Sequence, residues 1–234
     1  MTGFAISLIL AVVPSLLWLL FYLRKDAHPE PNWMILKVFL YGSLAVVPAI
    51  IAELGLEIII SQWLAIFLIS VFIEEIIKYL VIRWIVFRSP ELDEPVDLVL
   101  YMVISALGFA ALENLFFLLD PQLVSFTSLL GISAARFLTA VFIHTLSSGL
   151  FGYFLARNYF LTNRRKKFSI LGFLLAVFLH SLYNGFIITL SSHAGEQPGL
   201  VWGLFAVLPL GLILLYIFSF KKLRQLKFPL FKSK

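Results

Sequence analysis

Four short groups of polar residues that could do chemistry lie inside segments that are otherwise almost wholly apolar. They are Glu74-Glu75-x-x-Lys78, Glu113-Asn114, His144-x-x-x-Ser148 and His180-x-x-x-Asn184. Placing such a group in lipid costs free energy, so ionisable residues within membrane helices usually serve a function. Because the four groups fall in four consecutive apolar segments, we expect them to converge on one site in the core of a helix bundle.

These residue types are suited to hydrolysis of an amide. A carboxylate could activate water as a general base and later protonate the leaving amine, while histidine and asparagine donate hydrogen bonds to an oxyanion. Alternatively, a zinc ion held by two histidines and one glutamate (His144, His180 and Glu74) would keep a water in its fourth position. Ser147 and Ser148 could be nucleophiles, but nothing in the sequence marks either as activated.

The glutamate pair lies one turn before Lys78, so either carboxylate could reach it. Adjacent helical residues diverge by about 100° around the axis. We therefore expect Glu74 and Glu75 to face different partners, one serving chemistry and the other pairing with Lys78 or a neighbouring helix. The alternative is a buried ion pair that only supports the fold.

The remaining groups also have helical spacing. Arg136 and His144 are eight residues apart, which predicts that they lie on nearly one face of one helix, with a buried glutamate as the counter-ion of Arg136. His180 and Asn184 share a face one turn apart. Glu113 and Asn114 belong either to the site or to a polar clasp between helices, and the small residues before them allow close helix approach.

The elements that must position these groups are membrane helices. Of 234 residues, 61% are hydrophobic and 13% charged, against about 25% charged in soluble domains. Apolar runs approach the roughly 20 residues needed to cross a bilayer, where backbone groups must pair within a helix. We predict an all-α bundle of seven spans, with a break around 53–61. The spans are roughly 3–23, 34–53, 62–87, 98–119, 129–157, 169–190 and 200–220.

Basic residues flank alternate breaks, which predicts an outside N-terminus and a cytoplasmic C-terminus. Their placement assigns the +5 net charge to membrane topology rather than to nucleic-acid binding. The first run lacks a basic n-region and a clear cleavage site, so we expect it to be retained. The absence of cysteine excludes disulfides, thiolate metal sites and a cysteine nucleophile. We expect one membrane domain over 1–234, with a motif-bearing core at 62–190 and a basic tail at 221–234.

The polar motifs resemble those of the PrsW family of bacterial intramembrane proteases, part of a wider group with the type II CAAX prenyl endopeptidases. The similarity extends over about 74–186. A histidine fills the Glu113 position in the prenyl endopeptidases, so this chain follows PrsW. The matching motifs are Glu74-Glu75-Ile-Ile-Lys78, Asp93-Glu94-Pro95-Val96-Asp97 with Gly108-Phe109-Ala-Ala-Leu-Glu113-Asn114, Arg136 through His144-Thr-Leu-Ser-Ser148 to Gly152-Tyr153, and His180-Ser-Leu-Tyr183-Asn184.

The resemblance implies a multi-pass protease of the bacterial cytoplasmic membrane whose substrate is a single-span membrane protein. Such cleavage is typically the first step of signal-activated proteolysis of an anti-sigma factor. Carried over by position, Glu74 and Glu75 match the essential glutamate pair. His144 and His180 match the two histidines, and Asn184 matches the polar partner of the second. Family members are described both as metalloproteases and as metal-free glutamate enzymes.

We therefore adopt a working hypothesis that favours no metal, with zinc as the alternative. Glu74 activates the water, with Glu75 in support or in the reverse role. His144, His180 and Asn184 orient the water and stabilise the oxyanion. The residues expected to fix charges and helix positions around them are Lys78, Glu113, Asn114, Arg136 and Ser148.

Two other classes of protein could use the same buried charges. A transporter or ion-coupled channel would employ them as a relay, although no inverted repeat or pair of broken helices is visible in the sequence. A non-catalytic membrane scaffold would use them only to hold its helices together.

Overall fold

The computed structural model describes residues 2–24, 28–120, 125–161 and 166–193, and these ranges consist of helices and short connections, without strands. This confirms the predicted all-α fold. The seventh predicted span (200–220) and the basic tail (221–234) lie outside the described residues. The helices are α1 (Thr2–Leu23), α2 (Asn32–Leu44), α3 (Val46–Ile59), α4 (Trp63–Ile85), α5 (Pro95–Leu118), α6 (Phe126–Leu138), α7 (Ala140–Ala156) followed by a π-helical turn (Arg157–Leu161), and α8 (Lys166–His193).

The described helices are those of a multi-pass membrane protein. Five stretches are long and apolar enough to cross a bilayer. Helix α4 has a sufficient length of 23 residues, but it differs in carrying Glu74, Glu75, Lys78 and Arg83. The polar residues of α4 therefore belong to the site and do not mark a loop between helices. The five stretches are Gly3–Leu23, Asn32–Ile59, Pro95–Leu118, Phe126–Phe160 and Lys167–Ile188.

The second predicted span is broken at Ala45 and continues further than expected. The ring of Pro48 clashes with the carbonyl group four residues earlier in a continuous helix, and that residue, Leu44, is where α2 ends. The predicted break over 53–61 is wrong, since α3 runs to Ile59 and only 60–62 connect it to α4. A helix here gives the backbone N–H and C=O groups hydrogen-bond partners, which lipid cannot supply.

The fifth predicted span is also two helices, joined at Thr139. The Thr139 backbone leaves the helical region (φ −122°, ψ −74°), and its hydroxyl donates to the Ala135 carbonyl at 2.7 Å. A hydroxyl that bonds back to the preceding turn bends a helix. Arg136 therefore lies in the last turn of α6 and His144 on α7, so the prediction of one continuous helix is wrong, while both side chains still point to the same partner, Glu113.

Helix α5 is the centre of the described bundle, and it packs against α1, α2 and α7. Every residue from Asp97 to Ala111 is buried. At Gly108 a side chain would collide with the carbonyl of Phe39 on α2, and the Ser43 hydroxyl donates to the Gly108 carbonyl at 2.9 Å. Small residues thus permit the close approach expected from the sequence.

The packing of the other helices carries the polar groups towards each other. Helix α7 packs between α5 and α8, and α8 also contacts α4. Glu74 and Glu75 on α4, Glu113 on α5, His144 on α7 and His180 on α8 therefore face a common interior. The four groups recognised in the sequence meet there.

Candidate active site

Glu75 is fully buried and accepts hydrogen bonds from α4, α7 and α8. Its Oε1 atom receives Lys78 Nζ at 2.9 Å, His180 Nδ1 at 2.9 Å and Ser147 Oγ at 3.2 Å. Its Oε2 atom receives Ser148 Oγ at 3.2 Å. A buried carboxylate needs such donors to replace water. Glu75 therefore joins three helices, and the two serines serve as its donors.

Lys78 lies between the two glutamates, and its side chain is wholly buried. Its ammonium group is 2.9 Å from Glu75 Oε1, 3.3 Å from Glu74 Oε2 and 2.8 Å from His144 Nδ1. The expectation that the carboxylates face different partners is therefore wrong. Lysine has three donors on a long stem, so one ammonium spans two side chains that leave the helix in different directions.

Glu113 forms the second charged contact, between α5, α6 and α7. Its Oε2 atom is 2.9 Å from Arg136 Nη2 and 2.9 Å from His144 Nε2. Arg136 Nε also donates to Asn114 Oδ1, and the guanidinium lies over the Phe117 ring at 3.9 Å. Arg136 thus has the buried glutamate counter-ion expected from the sequence.

The partners of the two histidines assign their tautomers. His144 Nε2 donates to Glu113, which leaves Nδ1 as the acceptor for Lys78. His180 Nδ1 donates to Glu75, and its Nε2 atom lies 3.9 Å from Glu74 Oε2. The His144 ring is neutral in this arrangement, because it accepts a hydrogen bond at one nitrogen and donates from the other. Both nitrogens of His144 are engaged, whereas Nε2 of His180 has no hydrogen-bond partner among the described residues.

Glu74 accepts fewer hydrogen bonds than Glu75, with Lys78 Nζ as its donor at 3.3 Å. Its side chain is 11% exposed, and Oε2 lies 3.9 Å from His144 Nδ1 and 3.9 Å from His180 Nε2. These separations are too long for direct hydrogen bonds, and they suit a bridge through one water molecule. Glu74 therefore faces the two histidines without being bonded to either.

The same three residues fit a metal ion. Within the described ranges, Glu74, His144 and His180 are the group that offers three ligand atoms, all within 4.8 Å of one another. Two nitrogens and one carboxylate oxygen are donors that zinc accepts. Each histidine also donates from its other nitrogen to a carboxylate, as metal-binding histidines do. His144 could bind through Nδ1 only after Lys78 moved away.

Asn184 does not join this network directly. It lies on α8 one turn after His180 and is half-buried, and its side chain makes no hydrogen bond to the other site residues described above. Glu53 was not recognised from the sequence; it is half-buried in α3, on the same face as the buried Val46 and Ala49. An acidic residue within an apolar run was the available signal, and assigning 53–61 to a loop hid it.

Comparisons with known proteins give the family. The model described as "PrsW family intramembrane metalloprotease" matches residues 30–217. Protease PrsW of Geobacillus kaustophilus is 31% identical over 210 residues, 88% of this chain and 85% of that protein. The protein of the same name from Oceanobacillus iheyensis is 34% identical over 182 residues, 74% of this chain and 79% of that protein.

Protease PrsW of Bacillus subtilis is 30% identical over 179 residues, 74% of this chain and 78% of that protein. No solved structure matches the chain. The family match spans most of the sequence and includes every helix from α2 to α8. This chain therefore belongs to the PrsW family of bacterial intramembrane proteases and acts on proteins embedded in the lipid bilayer.

Proposed function

We propose that this protein is an endopeptidase in which Glu74 activates water to cut a peptide bond in or near the transmembrane segment of a membrane-anchored protein. The observation that carries the proposal is the difference between the two glutamates. Glu75 is saturated by four donors, while Glu74 accepts only the longer bond from Lys78 among the described residues, keeps 11% of its side chain exposed and faces two histidines at 3.9 Å. A general base needs an accessible lone pair.

In the proposed reaction Glu74 takes a proton from water, and the water oxygen attacks the carbonyl carbon of the peptide bond. The free Nε2 acceptor of His180 orients this water through its second hydrogen. The Lys78 ammonium supplies positive charge beside the developing oxyanion, and the Asn184 amide donates to it. Protonated Glu74 then returns its proton to the amide nitrogen as the carbon–nitrogen bond breaks.

The surrounding residues position these groups. Glu75 holds Lys78 and the His180 ring, while Ser147 and Ser148 hold Glu75. On the other side, Arg136 and Asn114 fix Glu113, which orients His144. Catalytic groups must be placed within a fraction of an ångström, so loss of this support lowers activity without removing a reacting atom.

A zinc-dependent form of the same protease is the second candidate, because Glu74, His144 and His180 can converge on one ion. A zinc ion bound there would supply a polarised water near neutral pH. Glu75 and Glu113 would then orient the two histidine ligands. The contact of Lys78 Nζ with His144 Nδ1 at 2.8 Å favours the metal-free form, since a cation already stands beside two of the three ligand atoms.

We further propose that the substrate is a single-span protein of the anti-sigma-factor type and that cleavage is the first step of regulated proteolysis. The family membership supports this proposal. Its test is co-expression of this protein with tagged single-span anti-sigma factors from one bacterium. We expect a membrane-proximal fragment that disappears when Glu74 is changed to Gln. Intact substrates in both cases would contradict this substrate class.

The mechanism is tested with purified protein in liposomes, single-span peptides and mass spectrometry of the products. We expect E74Q to lower cleavage about 10²–10⁴-fold while its helical content stays unchanged. The matched control is E57Q, which removes an exposed carboxylate of α3 and should cleave as the parent protein does. Full cleavage by E74Q would refute Glu74 as the base.

The metal question is answered on the same samples with a zinc chelator and metal analysis. Cleavage that persists with chelator and without bound metal supports the glutamate–water form. Cleavage that is lost and then restored by zinc replaces it with the zinc-dependent form, in which Glu74, His144 and His180 are ligands.

A further inference from the structure

Phe109 is a buried aromatic residue that contacts the site and has no role in the proposed reaction so far. The residue is 2% exposed, and its ring is centred 4.4 Å from Lys78 Nζ. The same ring packs against the His144 imidazole, with 5.7 Å between the two ring centres. Helix α5 therefore contacts Lys78 of α4 and His144 of α7 through one side chain.

The position of this ring is fixed by the backbone of α5. The preceding residue, Gly108, lies so close to α2 that a side chain there would collide with the α2 backbone. Phe109 is one turn before Glu113, so both side chains project from the same face of α5. Glu113 Oε2 lies 2.9 Å from His144 Nε2. One face of α5 thus contacts the His144 ring twice, and its aromatic member also contacts the Lys78 ammonium.

The ring suits a charge that has no water around it. The Lys78 side chain is wholly buried, and its three N–H donors are matched by Glu74, Glu75 and His144 at 3.3, 2.9 and 2.8 Å. The face of an aromatic ring carries partial negative charge and attracts an ammonium within about 6 Å. A leucine would fill similar space without this attraction. The ring therefore stabilises the Lys78 charge in addition to its three hydrogen bonds.

We propose that Phe109 is a positioning residue of the protease, whose ring holds the Lys78 ammonium beside Glu74 and His144 through a cation–π contact. This rests on the proposed endopeptidase reaction, in which Lys78 supplies positive charge beside the developing oxyanion. The four-carbon stem of lysine is flexible, and a charge stabilises an oxyanion best when its position is fixed beforehand. Phe109 acts through Lys78 and not on the reacting atoms.

The test replaces Phe109 site-specifically with phenylalanines that carry one to five fluorine atoms. Fluorine withdraws negative charge from the face of the ring while the shape of the ring changes little, so the attraction for Lys78 falls with each added atom. Cleavage of a single-span peptide by each protein in liposomes gives kcat and KM. We expect kcat to fall stepwise, by about fivefold at five fluorines, with KM unchanged, because the Lys78 charge acts on the transition state.

The matched control is the same fluorine series at Phe151, a ring of α7 that is 3% exposed and packs against Tyr79 and Phe173. Among the described residues no cation lies over this ring. Its series should keep the kcat of the parent protein. A constant kcat across the Phe109 series, or the same fall in both series, overturns the proposal, since Phe109 would then only fill the core.

Melting temperatures of the same proteins separate this inference from the proposed reaction. We expect them to fall stepwise in the Phe109 series and not in the Phe151 series, because only the first loses attraction for a buried cation. This trend without cleavage of any peptide by the parent protein refutes the endopeptidase reaction, and the positioning role with it, and leaves only the contact between Phe109 and Lys78. Cleavage with a constant kcat in the Phe109 series refutes the role of Phe109 and keeps the reaction.

Discussion

Helices α5 and α3 have similar apolar compositions and opposite surroundings. In α5 every residue from Asp97 to Ala111 is buried, whereas the buried residues of α3 are Val46 and Ala49. Near its end, α3 exposes Ile58 by 86% and Ile59 by 82%. Over Asp97 to Ala111, α5 is enclosed by protein on all sides, whereas α3 turns its largest side chains outward.

The difference shows that hydrophobicity does not decide which membrane helices are enclosed by protein, because lipid is as apolar as a protein core. Small residues do decide it, since they let other helices approach closely. Those of α5 admit neighbouring backbones at Ser105 and Gly108, while α3 presents branched side chains around its single half-buried carboxylate, Glu53. We therefore regard α5 as the framework of the site and α3 as a helix at its outer side.

The strongest test of this contrast is one added methyl group on each helix. At Gly108 of α5 a Cβ would collide with the Phe39 carbonyl, while at Gly55 of α3 nothing lies within 4 Å. We expect G108A to destabilise the protein by about 3 kcal/mol and G55A to leave stability unchanged or raise it by less than about 1 kcal/mol. Thermal unfolding in detergent measures both. Equal melting temperatures would contradict the contrast.

A second test compares the neighbouring glutamates of α4. E75Q places an amide against four donors and leaves Lys78 with one carboxylate, so we expect a loss of about 3 kcal/mol in the free energy of unfolding. E74Q removes one longer contact at 3.3 Å and should lose about 1 kcal/mol. Denaturant titration of both variants measures this. A larger loss for E74Q would show that Glu74 is the structural member of the pair.

A third test concerns the attachment of α6 to α5. R136K removes the planar fork that contacts Glu113 and Asn114, and lysine cannot reproduce it. We expect a loss of about 2 kcal/mol and a several-fold fall in peptide cleavage, because Glu113 orients His144. The control is R83K on the exposed side of α4. A normal melting temperature and rate for R136K would show that charge alone suffices there.

The smallest effect is expected on the outward face of α3. I58A shortens a side chain that is 86% exposed, so stability should change by less than about 0.5 kcal/mol. I104A shortens a fully buried side chain of α5 and should cost about 2 kcal/mol or more. Thermal unfolding of the pair measures the difference. A large effect of I58A would mean that another surface covers this part of α3.

Most of the helical organisation was accessible from the sequence. The first six predicted spans each correspond to one described helix or to two helices joined end to end. The two internal breaks were not predicted, since Pro48 and Thr139 interrupt runs whose hydropathy continues. Hydropathy measures the free energy of transferring a residue into an apolar phase. It carries no information on the backbone geometry of a single residue.

The sequence predicted which residues form the site better than it predicted their contacts. The sequence pointed to Glu74, Glu75, His144 and His180 because polar groups stand out in apolar segments. It could not indicate that Lys78 bridges both glutamates.

The sequence alone therefore determined that this is a helical membrane protein with polar motifs of the PrsW type, because those properties depend on local composition and spacing. Tertiary structure alone decided which glutamate is saturated, and that both nitrogens of His144 but only one nitrogen of His180 form hydrogen bonds. Those facts depend on partners distant in the chain, such as Glu75 and His180, which are 105 residues apart. Only the packing of four helices brings such donors and acceptors within hydrogen-bond distance.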